Sequence, residues 1–214
     1  MSGARASVSV DFFADLSCPW CYVGWASLKQ AGARVRDRVA ISLSWRPFLL
    51  APDMAVEGVA KAEYFAGRMS DEKLAAANAA LAHAAAKAET PLNLGAADRI
   101  PNTIDAHRLV HWAGEQGVAG QTIDALYATH FVDGANLGDR DVVLGVANEV
   151  GMDPGEIGEW LSSDKDRALM LELHAAAVQL GVRAVPVAVF NRSKAVMGGQ
   201  DSEAYESALL DFAS

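Results

Sequence analysis

The sequence predicts an α/β chain in which a β-α-β start and an α-β-β-α finish enclose a long helical block. Three observations carry this. Alternating apolar runs stand near both ends. The middle, from about Val59 to Gln179, has helical spacing and no convincing strand. The only two cysteines, in Cys18-Pro19-Trp20-Cys21, sit where the first alternating run gives way to helical spacing.

Taken in order, Ala6 to Phe13 (ASVSVDFF) sets valine, valine and phenylalanine at alternate positions and reads as a buried strand. Ala14 to Ser17 is a short connection, in which Ser17 or Asp15 can cap the following helix, and Pro19 suits the first turn. That helix runs from about Pro19 to Val35, marked by Trp20, Val23, Leu28 and Ala31. Val39 to Trp45 alternates again, and a β-α-β order implies a parallel pair with a right-handed crossover. Pro47 to Gly58 breaks the pattern. Ala75 to Ala88 is alanine-rich and predicts a helix, with Leu74, Ala77 and Leu81 on one face. Helices follow at Asn102 to Gln116, Gln121 to Val132, Asp139 to Val150, Pro154 to Leu161 and Asp164 to Leu180, with Asn102, Asp139 and Asp153 as caps. Strand character returns at Pro186 to Phe190 and Ala195 to Met197, around a hairpin turn at Asn191-Arg192-Ser193-Lys194. Gly198-Gly199 ends the second strand, and Asp201 or Ser202 caps a last helix carrying Tyr205, Ala208, Leu209 and Phe212. No linker separates these parts. The expected organisation is one discontinuous domain, 6–58 with 165–214, and an inserted helical domain at 59–164.

Half of the 214 residues are apolar, enough for a packed core. A net charge of −9 with no lysine/arginine block excludes a nucleic-acid binder, and no run of 18 apolar residues spans a membrane. Met1 to Ser7 has no secretory-leader pattern, so the expected address is cytoplasmic. In reducing cytoplasm a Cys-x-x-Cys is more often catalytic or metal-binding than a structural staple. Zinc needs four ligands as a rule. His107 and His111 could supply two, but nothing in the sequence brings them to the cysteines, so they read as ordinary helical histidines and no metal is expected.

A helix start favours the thiolate, because the first backbone N–H groups lack helical partners and the dipole places positive potential there. Cys18 is therefore the expected attacking sulfur. Cys21, one turn on and on the same face, can resolve a mixed disulfide formed at Cys18. Pro19 holds the turn, and Trp20 packs beside the sulfurs to meet the partner. Trp25, Trp45, Trp112 and Trp160 read as core or interface.

The spans FFADLSCPWCYVGWASL, NTIDAHRL (Asn102 to Leu109), GVRAVPVAVFN (Gly181 to Asn191) and MGGQ (Met197 to Gln200), in this order, resemble the DsbA family and specifically its FrnE-like branch. The resemblance covers nearly the whole chain. It implies a thioredoxin fold with a helical insertion and a protein dithiol–disulfide oxidoreductase. It implies that Pro186 is the cis-proline placed against the sulfurs, leaving the Val185 backbone to pair with an extended substrate segment; spacing alone would make Pro186 a trans residue opening an edge strand. Asp15 matches an acidic position of the branch and is either a proton relay or a helix cap, the cap being the stronger expectation. Asn102, His107 and Arg108 match the NTxxAHRL segment, as groove residues beside the sulfurs or as a helix cap with surface polar residues. Gly199 and Gln200 fall where glutathione-using relatives contact the tripeptide. No bound cofactor is implied, and glutathione is a candidate redox partner. The further C-terminal cysteine pair of some FrnE-like proteins is missing.

Three functions compete. The first is an oxidoreductase acting on protein or small-thiol partners. The second is a glutathione-dependent isomerase or transferase resembling 2-hydroxychromene-2-carboxylate isomerase and the kappa-class transferases, which carry serine at the position of Cys18. The third, a peptide-binding module without catalysis, gives a helix-start dithiol little purpose. Exposed alanines are compatible with a homodimer.

Overall fold

A computed structural model describes residues 5–213. The elements run β1 (Ala6–Ala14), α1 (Pro19–Val35), β2 (Val39–Pro47), β3 (Val59–Ala60), α2 (Lys61–Phe65), α3 (Asp71–Lys87), β4 (Arg99–Ile100), α4 (Ile104–Glu115), α5 (Ala119–Phe131), α6 (Arg140–Glu149), α7 (Pro154–Ser162), α8 (Arg167–Gln179), β5 (Val187–Phe190), β6 (Lys194–Met197) and α9 (Ser202–Asp211). Part of the leader reading, at residues 1–4, lies outside the described residues. Among them no helix is long and apolar enough to cross a membrane.

The main sheet has the order β2-β1-β5-β6. β1 is a central strand, parallel to β2 from Ala6↔Val39 to Ala14↔Pro47 and antiparallel to β5. Its period of two sorts side chains between faces. Val8, Val10 and Phe12 join the cluster that holds Trp25 and Leu28 of α1 and Tyr205 and Leu209 of α9. Phe13 points the other way, to Phe48, Ala177 of α8 and Val187. The first cluster continues without a break into α4–α7 through Leu109, Leu126, Val146 and Ile157. The β5–β6 turn takes left-handed backbone at Asn191 and Arg192, and the Asn191 side chain accepts the Ser9 N–H at 2.9 Å, which pins the hairpin to β1.

Three expectations are corrected. Strand pairing does occur in the helical stretch, where β3 and β4 pair antiparallel over two residues each, too short to show alternation. Thr103, not Asn102, holds the cap position of α4; the Asn102 oxygen instead accepts the Ile104 N–H at 3.0 Å in an Asx turn. α8 begins at Arg167, because Asp166 sits at φ 58, outside helical backbone. Asp139, Asp153 and Asp201 cap their helices through their carboxylates.

Candidate active site

β1 delivers the chain through Leu16 and Ser17 to Cys18, which is itself the N-cap of α1. Its extended backbone (φ −95, ψ 112) turns Sγ back over the first turn, where it accepts the Cys21 N–H at 3.3 Å. The sulfur thus takes the place a serine or aspartate oxygen occupies in an ordinary cap. Neither Asp15 nor Ser17 caps the helix, because the capping position falls on the cysteine. Cys18 keeps 6% exposure and Cys21 has none, so a partner cannot meet the second cysteine directly. Both are free thiols. Burial pushes the Cys21 thiol well up, and the Cys18 sulfur and the Asp15 charge add to this.

Asp15 is 1% exposed and is the hub behind the dithiol. Its Oδ1 accepts Ser17 N–H at 3.1 Å and Thr103 Oγ1–H at 2.8 Å, and its Oδ2 accepts Leu50 N–H at 2.6 Å. Its backbone carbonyl accepts the Cys18 N–H and the Tyr127 hydroxyl. His107, fully buried, faces it at Nε2–Oδ1 3.6 Å, longer than a hydrogen bond. Trp45 Nε1–H donates to His107 Nδ1 at 3.2 Å, so the neutral ring carries its proton on Nε2, toward Asp15. Burial alone would raise the Asp15 carboxyl; the pull of His107 and the Leu50 and Ser17 amides outweighs it and holds the group below its ordinary range. A buried carboxylate in this state is a fixed negative charge and a weak base.

The Val185–Pro186 peptide bond is cis. The Val185 carbonyl lies 3.9 Å from Cys18 Sγ. Its N–H has no protein acceptor among the described residues, whereas the Pro186 carbonyl is taken by Gly198 N–H at 2.8 Å. Two glycines permit this close assembly. A Cβ on Gly24 would stand 3.1 Å from Pro186 Cγ and 3.3 Å from Gly199 Cα, and one on Gly199 would stand 2.7 Å from the Trp20 carbonyl oxygen. Gly199→Ala is therefore expected to cost roughly 1–3 kcal/mol, since backbone cannot yield as a side chain can. Gly145→Ala in α6, whose Cβ would meet nothing within 4 Å, is expected to gain about 0.5–1 kcal/mol. Urea denaturation of both variants checks the pair; equal midpoints would refute the close contact.

The structure thus brings Cys18, Cys21, Pro19, Trp20, Val185, Pro186, Asp15 and Gly199 together. Gln200 is exposed and ties its side chain to the Met197 carbonyl. The α9 N-terminus beyond it already holds a carboxylate, Asp201, which is also paired with Lys87 at 2.7 Å. The groove reading of the NTxxAHRL residues is corrected. Arg108 has no exposure: it pairs with Asp105 at 2.7 Å and donates to the carbonyls of Trp160, Ser163 and Lys165, so it ties the α7–α8 connection to α4. Asn102 bridges Met54 and Ile104. His107 is not an ordinary helical histidine but the partner of Asp15. Thr103, Trp45, Tyr127, Leu50 and Gly24 complete the site and were not singled out in the sequence as site residues. Thr103 and Gly24 carried a signal, by lying inside NTIDAHRL and FFADLSCPWCYVGWASL.

A model of the DSBA-like thioredoxin domain family matches residues 9–210. Among solved structures, a probable DsbA oxidoreductase from Streptomyces coelicolor is similar at 29% identity and TM-score 0.85, covering 96% of this chain and 89% of that one. A 2-hydroxychromene-2-carboxylate isomerase is similar in fold at 18% identity and TM-score 0.74, over 95% of each chain. The cytosolic disulfide reductase DsbM from Pseudomonas aeruginosa, solved with GSH, is similar in fold at 16% identity and TM-score 0.68, over 95% of this chain and 98% of that one.

Proposed function

The chain belongs to the DSBA-like thioredoxin domain family, and on that premise we propose that it is a thiol–disulfide oxidoreductase whose Cys18–Cys21 pair exchanges disulfides with protein or small-thiol partners. The observation that carries the reading is the arrangement of the two sulfurs: Cys18 at the helix cap with residual exposure, Cys21 wholly buried behind it. The Cys18 thiolate attacks one sulfur of a partner disulfide, forms a mixed disulfide and expels the other sulfur as a thiolate. The Cys21 thiolate then attacks Cys18 Sγ, closes the internal disulfide and expels the second partner thiolate. The dithiol loses two electrons and two protons, and the partner disulfide gains them. The reverse sequence oxidises a partner dithiol.

The free N–H of Val185 suits an extended partner segment added as a strand beside Cys18. Glutathione is the proposed small-thiol partner, with Gly199 and Gln200 at its edge; the likeness to the GSH-bound reductase supports this only through the fold. The helices of 59–164 are proposed to shape substrate choice, and a FrnE-like, cytoplasmic role fits the reading. Burial and then the Cys18 sulfur keep Cys21 protonated until Cys18 has reacted; the Asp15 charge adds to this, a role that suits its depressed carboxyl better than a proton relay does.

Titration of the purified protein against glutathione, with free thiols counted by alkylation gel shift, tests this. Cys18 and Cys21 are expected to convert together. A potential near about −200 mV or above indicates oxidase or isomerase work, and one near about −270 mV a reductase. Failure to form the internal disulfide at any glutathione ratio refutes the reading.

A further inference from the structure

One face of the main sheet packs against α1 and α9. On the other face α8 packs against Phe13 and Val187, and a groove of about 580 Å³ opens beside it over β5 and β6. Val187, Val189 and Met197 line it from the strands, and Leu173 and Leu180 line it from the helical side. Leu180 and Met197 are the most exposed large apolar side chains among the described residues, at 77% and 62%. Two such groups on one groove mark a binding surface rather than scattered surface residues. Fewer residues line the groove than the roughly 20–30 that a stable protein interface takes from each side, and its volume falls in the small-molecule range. From Leu173 to Leu180 helical backbone advances about 10 Å, long enough to lay an alkyl chain alongside.

The groove also carries a net positive charge. Arg46, Arg183 and Arg192 line it, and Asp11 is the one carboxylate on its lining. Asp11 is already paired with Arg46 at 2.7 Å. Among the described residues neither Arg183 nor Arg192 forms an ion pair, although acidic residues outnumber basic ones 27 to 18 in this chain. Arg183 is held in place: its Nη1 donates to the carbonyls of Val178 and Val182 at the end of α8. Its Nε and Nη2 find no acceptor among the described residues, so one edge of a positioned guanidinium is left open. That edge matches the two oxygens of a carboxylate. An apolar groove with an anchored cation and no spare counter-charge is complementary to an apolar anion.

We propose that this groove binds a single-chain alkyl carboxylate, the chain along Val187, Val189, Leu180 and Met197 and the head on Arg183. The site stands apart from the dithiol. Cys18 and Cys21 belong to the cluster on the opposite face of the sheet, and neither lines the groove. Arg183 lies two residues before Val185, so a bound chain adjoins the segment that enters the cis bond without occupying it. Binding involves no thiol and is measured whether or not disulfide exchange occurs.

The test is calorimetric titration of the reduced protein with decanoate, with neutral 1-decanol and with butanoate, alongside sedimentation of the free protein. Decanoate is expected to bind at one site, about tenfold or more tighter than the alcohol, the margin of a charge-assisted hydrogen bond. Butanoate, six methylenes shorter, should bind about 100-fold or more weakly than decanoate. Arg183→Gln, which keeps an N–H for the Val178 carbonyl, should remove the margin over the alcohol and leave alcohol binding unchanged. Ala176→Trp adds a ring to the lining at an exposed position. It should abolish binding of both ten-carbon compounds while thermal unfolding stays cooperative. The proposal is overturned if decanoate does not saturate, if acid and alcohol bind alike, if butanoate matches decanoate, or if either variant leaves decanoate binding intact. A dimer that Ala176→Trp dissociates also overturns it, the occupant of the groove then being a second copy of the chain.

Discussion

A Cys21→Ser variant is expected to accumulate a stable mixed disulfide at Cys18, while Cys18→Ser loses disulfide-exchange turnover by about 10³-fold or more. The asymmetry follows from placement. Cys18 is the cysteine with residual exposure, at the helix cap, with its sulfur 3.9 Å from the Val185 carbonyl. Cys21 is fully buried, and its thiol is pushed up first by burial and then by the Cys18 sulfur. It cannot compete for a partner, but its backbone N–H already points at Cys18 Sγ. Without the second thiol nothing resolves the adduct, and intact-mass spectrometry after incubation with oxidised glutathione should show one glutathione per chain. Because a serine hydroxyl in a dry site costs about 1–3 kcal/mol without a partner, Cys21→Ala serves as the second variant and should trap equally well. Unchanged turnover in both Cys21 variants would sink the dithiol cycle. It would favour chemistry at a single thiol, as in glutathione-dependent isomerisation.

Local chemistry made the frame of this site legible in the sequence. β1 and α1 declared themselves by an alternating apolar run that ends in two phenylalanines, by the proline at the first helical position and by a cysteine pair one turn apart. Asp15 shows where local reading stops. Just ahead of a helix, three residues before Cys18, a carboxylate looks like a cap, yet its partners are Leu50 and Thr103, 35 and 88 positions away, and the buried ring of His107. Arg108 failed for the same reason. A charged residue on an amphipathic helix reads as surface or groove, but carbonyls at the end of α7 converge on it and allow its burial. The two-residue strands β3 and β4 have no period to detect, since their pairing is decided by the loops around them. The turn at Asn191, by contrast, was readable because asparagine tolerates left-handed backbone.

Asp15→Asn is expected to lower stability at pH 7 by about 2–4 kcal/mol, since three donors converge on a carboxylate and an amide offers one acceptor oxygen. Its pH dependence separates a charge effect from a packing one. The Asp15 carboxyl titrates lower in the folded chain than in the unfolded one. Its contribution is therefore present above about pH 4 and is lost as pH falls through the folded value. Wild-type protein should weaken across that acid range more steeply than the variant, so the two curves converge. The Cys21 thiol has the opposite sign: it titrates higher in the folded chain, so its contribution is present below about pH 8.5 and is lost as pH rises through the folded value. Burial is the larger cause of that rise, and the Asp15 charge adds to it. Removing the charge should move the alkylation profile of Cys21 to lower pH without restoring an ordinary thiol. Urea unfolding at a series of pH values, with Cys21 alkylation followed in a Cys18→Ala background, reads both effects. Parallel stability curves together with an unmoved Cys21 profile would mean that Asp15 only braces the loops. Convergent curves with a shifted profile would mean that the carboxylate sets when the resolving sulfur becomes available.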